Sequence, residues 1–101
     1  MRVIVFFDLP TITSTDRKIY RAFRKYLLND GFLMMQDSVY VRLCINKAKA
    51  DLVVKDLEAK APEKGIVQAM IVTENQFANI FYLTGSFSSN IISNTKRIVI
   101  I

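Results

Sequence analysis

The chain has 101 residues, of which 51% are apolar, and its 14 Lys and Arg outnumber its 9 Asp and Glu to give a formal net charge of +5. It has no histidine, which excludes Ser-His-Asp and Cys-His catalysis and His-ligated metal sites, and its single cysteine, Cys44, cannot form an internal disulfide. The length predicts one domain over residues 1–101, the charge favours polyanionic partners, and the apolar excess favours a homodimer.

The first predicted element is a strand at Val3–Phe7, a continuous apolar run typical of a central strand buried on both faces. Asp8 and Pro10 end it. The run is too short for a signal peptide or a membrane span, and no other stretch reaches ~18 apolar residues. We therefore expect a cytoplasmic protein without membrane contact, in which Cys44 is an ordinary core residue.

The second element is an amphipathic helix from about Ser14 to Asn29, with N-cap candidates just before it and Gly31 as its stop. Its apolar side consists of Ile19, Tyr20, Phe23, Tyr26 and Leu27. Its opposite side consists of Arg17, Lys18, Arg21, Arg24 and Lys25. Asp16 is the only carboxylate within the helix body, so phosphate binding is a hypothesis beside that of an ordinary solvated face. Lys96 would extend this basic surface.

The middle of the chain alternates between extended and helical patterns. Residues 32–45 predict two short strands, or one bent strand broken near Gln36-Asp37. Asn46 is a candidate N-cap for a second helix at about Lys47–Lys60, whose apolar side contains Ala50, Val53, Val54 and Leu57. Pro62 and Gly65 then mark a turn.

The last part of the chain predicts a strand at Ile66–Val72, a turn or short helical piece at Thr73–Gln76, and an extended segment at Ile80–Leu83. The Ser- and Asn-rich residues 85–94 are expected to form a loop, and Ile98–Ile101 an edge strand of its own sheet or of a partner's. This order predicts an α+β fold, a ferredoxin-like βαββαβ sandwich with two helices on one face of an antiparallel sheet.

Asp8 is the first candidate site residue, because a carboxylate at the end of a central strand can hold a hard cation such as Mg²⁺. The alternative is that it only accepts hydrogen bonds from the following turn. One carboxylate per chain is little for a metal site, but a two-fold dimer would supply a second. Ser38 is an accessory candidate that would orient a water or touch a phosphate, although such a serine more often makes a local hydrogen bond.

Several motifs in chain order carry a family resemblance: Val3–Pro10, Arg17, Gly31-Phe32, Gln36–Tyr40, Gly85–Ser88 and Arg97–Ile101. With them the whole chain resembles the second CRISPR-associated protein of the adaptation machinery, in the form that accompanies type II-A systems. The resemblance implies a homodimer whose C-terminal strands complete the partner's sheet. It also implies a scaffold between two dimers of the CRISPR integrase, with prespacer duplex DNA laid across it.

Some members of that family are Mg²⁺-dependent nucleases of single-stranded RNA or duplex DNA that use the acid at the end of the first strand as metal ligand. The resemblance implies this role for Asp8. Two hypotheses follow: a DNA-binding subunit of spacer acquisition acting through the basic helix, and a stand-alone, toxin-like endoribonuclease acting through Asp8. A small-molecule sensor or acylphosphatase-like domain is a third, against which the loop Leu9–Thr15 counts, because it has no glycine to cradle an anion.

Overall fold

The computed structural model describes residues 1–86. Its elements are β1 (Arg2–Asp8), α1 (Ser14–Asn29), β2 (Leu33–Gln36), β3 (Val39–Leu43), α2 (Lys47–Lys60), β4 (Ile66–Val72) and α3 (Glu74–Ala78). Lys96 and the expected strand at Ile98–Ile101 lie outside the described residues, as does most of the expected loop at 85–94.

The four strands form one antiparallel sheet in the order β2-β3-β1-β4, with β1 in the centre. The element order and the two long helices on one face confirm the predicted ferredoxin-like α+β arrangement. Because β1 is antiparallel to both of its neighbours, its end at Asp8 lies beside the starts of β3 and β4. The sheet therefore brings three separate parts of the chain together where these strands end or begin, and this border of the sheet is called the Asp8 edge.

Local side-chain contacts explain where the long helices begin and end. Thr13 caps α1 through a capping box in which its hydroxyl accepts from the Asp16 N–H, and the Asp16 carboxylate accepts from the Thr13 N–H. Asn46 caps α2 by accepting from the Lys49 N–H. Gly31, at φ +93°, follows the C-cap of α1 in the left-handed region.

The main core lies between the helices and one face of the sheet. β1 contributes Val3, Val5 and Phe7, and the helices contribute Phe23, Leu27, Ala50, Val53 and Leu57. The Phe7 ring packs edge-on against Phe23 and stacks on Tyr40, with centroid separations of 5.3 and 5.6 Å. Cys44 is buried in this cluster, as expected of a core residue.

The opposite face of the sheet has no long helix over it among residues 1–86. A row of directly paired residues crosses all four strands on this face: Leu33, Val41, Ile4 and Met70. Short α3 covers only part of it, through the buried ring of Phe77. Leu33 and Met70, at the two ends of the row, are 39% and 48% exposed. This face therefore presents an apolar surface rather than the polar one usual for a solvated sheet.

Three features of the structure do not follow from the sequence pattern. Ile19, assigned to the apolar side of α1, is 40% exposed and lies near Pro10 and Pro62 at the margin of the helix. Residues 80–83 form no strand. Arg2, which no pattern marked, is buried, because its guanidinium stacks 4.2 Å from the Phe77 ring centre and its Nε donates to Glu74 at 2.9 Å.

None of the helices in residues 1–86 is long and apolar enough to cross a membrane.

Candidate phosphate-binding face and acidic site

Asp8 is exposed at the last position of β1, where it pairs with Ile66 of β4. On the other side of β1, the Phe7 N–H donates to the Ser38 carbonyl at 3.0 Å. Asp8 and Ser38 thereby line the same shallow pocket of about 300 Å³, together with apolar residues of the three strands and Gln68. The structure thus brings together Asp8 and Ser38, the metal-ligand candidate and the accessory candidate of the sequence analysis.

Ser38 sits in the turn between β2 and β3 at φ +64°, a conformation that non-glycine residues adopt uncommonly. The Tyr20 hydroxyl lies 3.4 Å from the Ser38 hydroxyl and donates to the Asp37 carboxylate, also at 3.4 Å. The sequence pattern places Tyr20 on the apolar side of α1, and it places Asp37 at a strand break and in the motif Gln36–Tyr40, without a site role for either residue. Both belong to the surroundings of the pocket, so sequence reasoning missed a hydroxyl and a second carboxylate near the Asp8 edge.

The donor set at the Asp8 edge fits a sparse Mg²⁺ site and no richer one. Asp8 is the only carboxylate that lines the pocket, and nowhere in residues 1–86 do three or more His, Cys, Asp or Glu side chains come together. Mg²⁺ keeps several waters and commonly binds through one or two carboxylates with substrate phosphates. One chain therefore offers the smallest number of carboxylates for such a site, to which a substrate phosphate and a carboxylate from a second copy would add ligands.

The basic side of α1 faces outward, as predicted. All five of its side chains are exposed, and none forms an ion pair within the described part of the chain: Arg17, Lys18, Arg21, Arg24 and Lys25. At 1.5 Å rise per residue, Arg17 and Arg24 lie ~10 Å apart along the helix, about three base-pair steps of 3.4 Å on a duplex strand. The spacing suits a row of phosphate contacts.

The one carboxylate of α1 does not neutralise this basic face. Asp16 is buried in the N-cap, where hydrogen bonds from Thr13 hold its pKa below the usual value of 3.8 and burial opposes them. Its charge is directed to backbone N–H groups at the start of the helix, not to the basic side chains. The five cations therefore repel one another without compensation from within α1, which favours the approach of an anion.

Arg17 differs from the other four cations. Its Nη1 donates to the carbonyls of Thr11 and Ile12 at 3.3 and 2.8 Å, so it braces the loop between Asp8 and α1. The other N–H groups of its guanidinium make no hydrogen bond within residues 1–86. Arg17 therefore links the two candidate features, because it holds the loop that follows Asp8 and stands at the start of the basic face.

Comparison with known proteins gives a consistent result. The family model described as "CRISPR associated protein Cas2" matches residues 1–80. Two curated relatives, both named "CRISPR-associated endoribonuclease Cas2", align over 100% of this chain and 100% of their own length. The relative from Ligilactobacillus salivarius is 45% identical and the one from Treponema denticola is 43% identical. The crystal structure of Streptococcus pyogenes Cas2 at pH 6.5 superposes with a TM-score of 0.62 over 83% of this chain and 100% of that chain, at 22% identity, a likeness of fold.

Proposed function

This chain belongs to the family of the CRISPR associated protein Cas2, and we propose that it is a homodimeric subunit of CRISPR adaptation that holds prespacer duplex DNA by its phosphates for the CRISPR integrase. The observation that carries the proposal is the outward row of arginines and lysines on α1, whose one carboxylate is occupied in the N-cap. Arginine suits this role because its planar fork binds phosphate oxygens in pairs. Contacts of this kind position a protein on a duplex without reading its sequence.

A second copy of the chain is the proposed occupant of the face of the sheet that carries no long helix among residues 1–86. That face carries the apolar row through Ile4 and Val41. A groove of about 530 Å³ on the same face includes Ile4 in its lining, together with Phe6, Met35 and Ile80 among others. Packing two such faces would bury side chains that are half exposed in one chain, at roughly 25 cal/mol per Å² of apolar surface removed from water. β4 is an edge strand among residues 1–86, so it can accept the apolar Ile98–Ile101 of the partner.

The proposed dimer also bears on Asp8. Two copies supply two Asp8 carboxylates as well as two basic faces. A Mg²⁺ ion bound to a phosphodiester commonly uses one or two carboxylates, so the pair of Asp8 side chains is sufficient in number. Mg²⁺ held in this way would stabilise negative charge on a phosphate. Without histidine the chain offers no obvious general base, so we expect cleavage to be weak.

A stand-alone endoribonuclease is the second candidate function. It is favoured by the names of the relatives and by the pocket that Asp8 shares with Ser38. Single-stranded RNA would then be the substrate, and Asp8 would be indispensable to function. The two candidates differ in what the loss of one carboxylate does in cells.

Asp8→Asn separates them, with Asp51→Asn as the control because Asp51 is an exposed carboxylate on α2. We expect Asp8→Asn to abolish Mg²⁺-dependent cleavage of single-stranded RNA and duplex DNA, because it removes the ligand charge. Dimerisation, duplex binding and integrase-dependent spacer acquisition should stay close to wild type. Loss of acquisition with dimerisation and binding intact would reject the scaffold proposal and make Asp8 essential in the cell.

A further inference from the structure

Gly65 precedes β4 directly and faces the end of β1 across the sheet. Its φ is +86°, and a Cβ at this position would lie 2.5 Å from the Asp8 carbonyl oxygen. The same Cβ would lie 3.0 Å from Leu9 Cδ2 and 3.1 Å from Leu9 Cα. Two of these three atoms are backbone atoms, which cannot move aside as the end of a side chain can.

The other described glycines show that positive φ alone does not explain this contact. Gly31 and Gly85 also have positive φ, at +93° and +85°. A Cβ on Gly31 would approach only the Arg42 side chain, at 3.7 Å, and one on Gly85 would meet nothing within 4 Å. Among the three, only Gly65 is required both by its backbone conformation and by the backbone that lies against it.

We propose that Gly65 is a positioning residue for the Asp8 carboxylate, an inference that rests on the role proposed for Asp8 above. Asp8 is the last residue of β1 and pairs with Ile66, the residue after Gly65. On the β3 side, the strand is held one residue earlier by the bond from Phe7 to the Ser38 carbonyl. The missing side chain of Gly65 lets β4 close against β1 at this point, so the Asp8 backbone is fixed from both sides.

The size of the displacement can be set from the same contact. Real Cβ atoms essentially never come within 3.0 Å of another heavy atom, so Gly65→Ala must move the Asp8 carbonyl or the chain at residue 65 by at least ~0.5 Å. Catalytic groups must be held within ~0.5 Å of their working geometry, and a 1 Å misplacement can cost ~100-fold in rate. We expect Gly65→Ala to lower kcat of Mg²⁺-dependent cleavage by ~10- to 100-fold. KM should be unchanged, because α1 supplies the proposed substrate contacts.

The experiment compares Gly65→Ala and Gly65→Asn with Gly31→Ala in the full chain. Gly31→Ala places an alanine at a similar positive φ without touching Asp8, so it matches the backbone strain. Gly65→Asn keeps the Cβ but accepts positive φ more readily. The first readout is the NMR shift of the Asp8 carbonyl carbon and the Leu9 amide without metal, and the second is kcat and KM for Mg²⁺-dependent cleavage of duplex DNA.

We expect both Gly65 variants to move the two NMR signals and lower kcat, while Gly31→Ala leaves the signals and both kinetic constants at wild-type values. Unmoved Asp8 and Leu9 signals in folded Gly65 variants would overturn the proposal, as would a loss of kcat in Gly31→Ala equal to that in Gly65→Ala. If neither Gly65 variant folds while Gly31→Ala does, Gly65 is a general requirement of the fold and the proposal fails. A wild type that does not cleave refutes the nuclease activity instead, and the NMR shifts alone then decide whether Gly65 positions Asp8.

Discussion

Replacing Arg21 and Arg24 by glutamine should reduce the salt dependence of duplex binding by a countable amount. Both side chains are exposed on α1 and neither takes part in an ion pair within residues 1–86, so the change removes charge without breaking a structural contact. In the proposed dimer, three arginines per chain make six phosphate contacts. The slope of log affinity against log salt is then about −5.4, and affinity falls about 10³-fold between 50 and 200 mM salt.

The double substitution removes four of these six contacts. The slope should become shallower by about 3.6, and the loss of affinity over the same salt range should shrink to about tenfold. Arg17 is left in place because it also holds the loop at Thr11 and Ile12. Its substitution would combine the loss of a phosphate contact with a loosened loop after Asp8.

Fluorescence anisotropy with two duplexes of unrelated sequence, titrated at four salt concentrations, measures the slope. Lys55→Gln is the matched control, because Lys55 is an exposed cation on α2. It should leave the slope unchanged, and the two duplexes should respond alike to every variant. A wild-type slope retained by the double variant, or a loss confined to one duplex sequence, would show that the DNA lies on another surface.

Three further predictions concern the dimer and the first helix. Met70→Glu places a charge at one end of the apolar row, and truncation after Asn94 removes the segment predicted to form the terminal strand. Each change should shift the protein from dimer to monomer in light scattering, and a wild type that is a folded monomer at high concentration would refute the proposed interface. The pKa of Asp16 is lowered in the folded protein, so the carboxylate should stabilise the fold at pH values above 3.8, its usual pKa. This contribution should be lost as the pH falls from 3.8 through the lowered pKa. Asp16→Ala should therefore weaken the dependence of the urea unfolding midpoint on pH in acid. Thr13→Ala should cost about 1 kcal/mol of unfolding free energy at neutral pH, and an unchanged midpoint would refute the role given to the capping box.

The helices and β4 were predictable because their signals are local. α1 and α2 run over the predicted ranges, since Thr13, Asn46 and Gly31 act within a turn of each boundary. The capping side chains bond to backbone three residues away, so a short window of sequence contains the whole cause. The same reasoning gave the outward basic side of α1.

The site formed by Asp8 and Ser38 was predictable only in part, because the arrangement of these residues depends on strand register. Asp8 and Ser38 could be nominated one by one, but their shared pocket follows from the pairing of β1 with β3. Tyr20 and Gly65 reach the Asp8 edge from α1 and from the start of β4, which no local pattern specifies. The turn signal at Gly65 was correct and yet did not indicate the 2.5 Å approach to Asp8.

Residues at the margins of the core were the other source of error. Ile19 lies at the edge of the apolar side of α1, where a helical angle cannot tell a covered position from an exposed one. Arg2 reads as a solvated charge in the sequence. It is buried because Phe77 and Glu74, more than seventy residues later, supply a ring face and a carboxylate.

The central place of β1 in the sheet has a consequence for how the chain folds during synthesis. β1 leaves the ribosome before the strands that pair with it, yet its β4 neighbour is complete only when Val72, the partner of Arg2, has emerged. Until then β1 can pair only with β3, and its other edge stays open. Pairing between such distant residues gives a high contact order, so the final closure of the sheet is expected to be slow for a protein of this size. One side of β1, a strand whose side chains are mostly buried, therefore stays unpaired from the emergence of Leu43 until that of Val72.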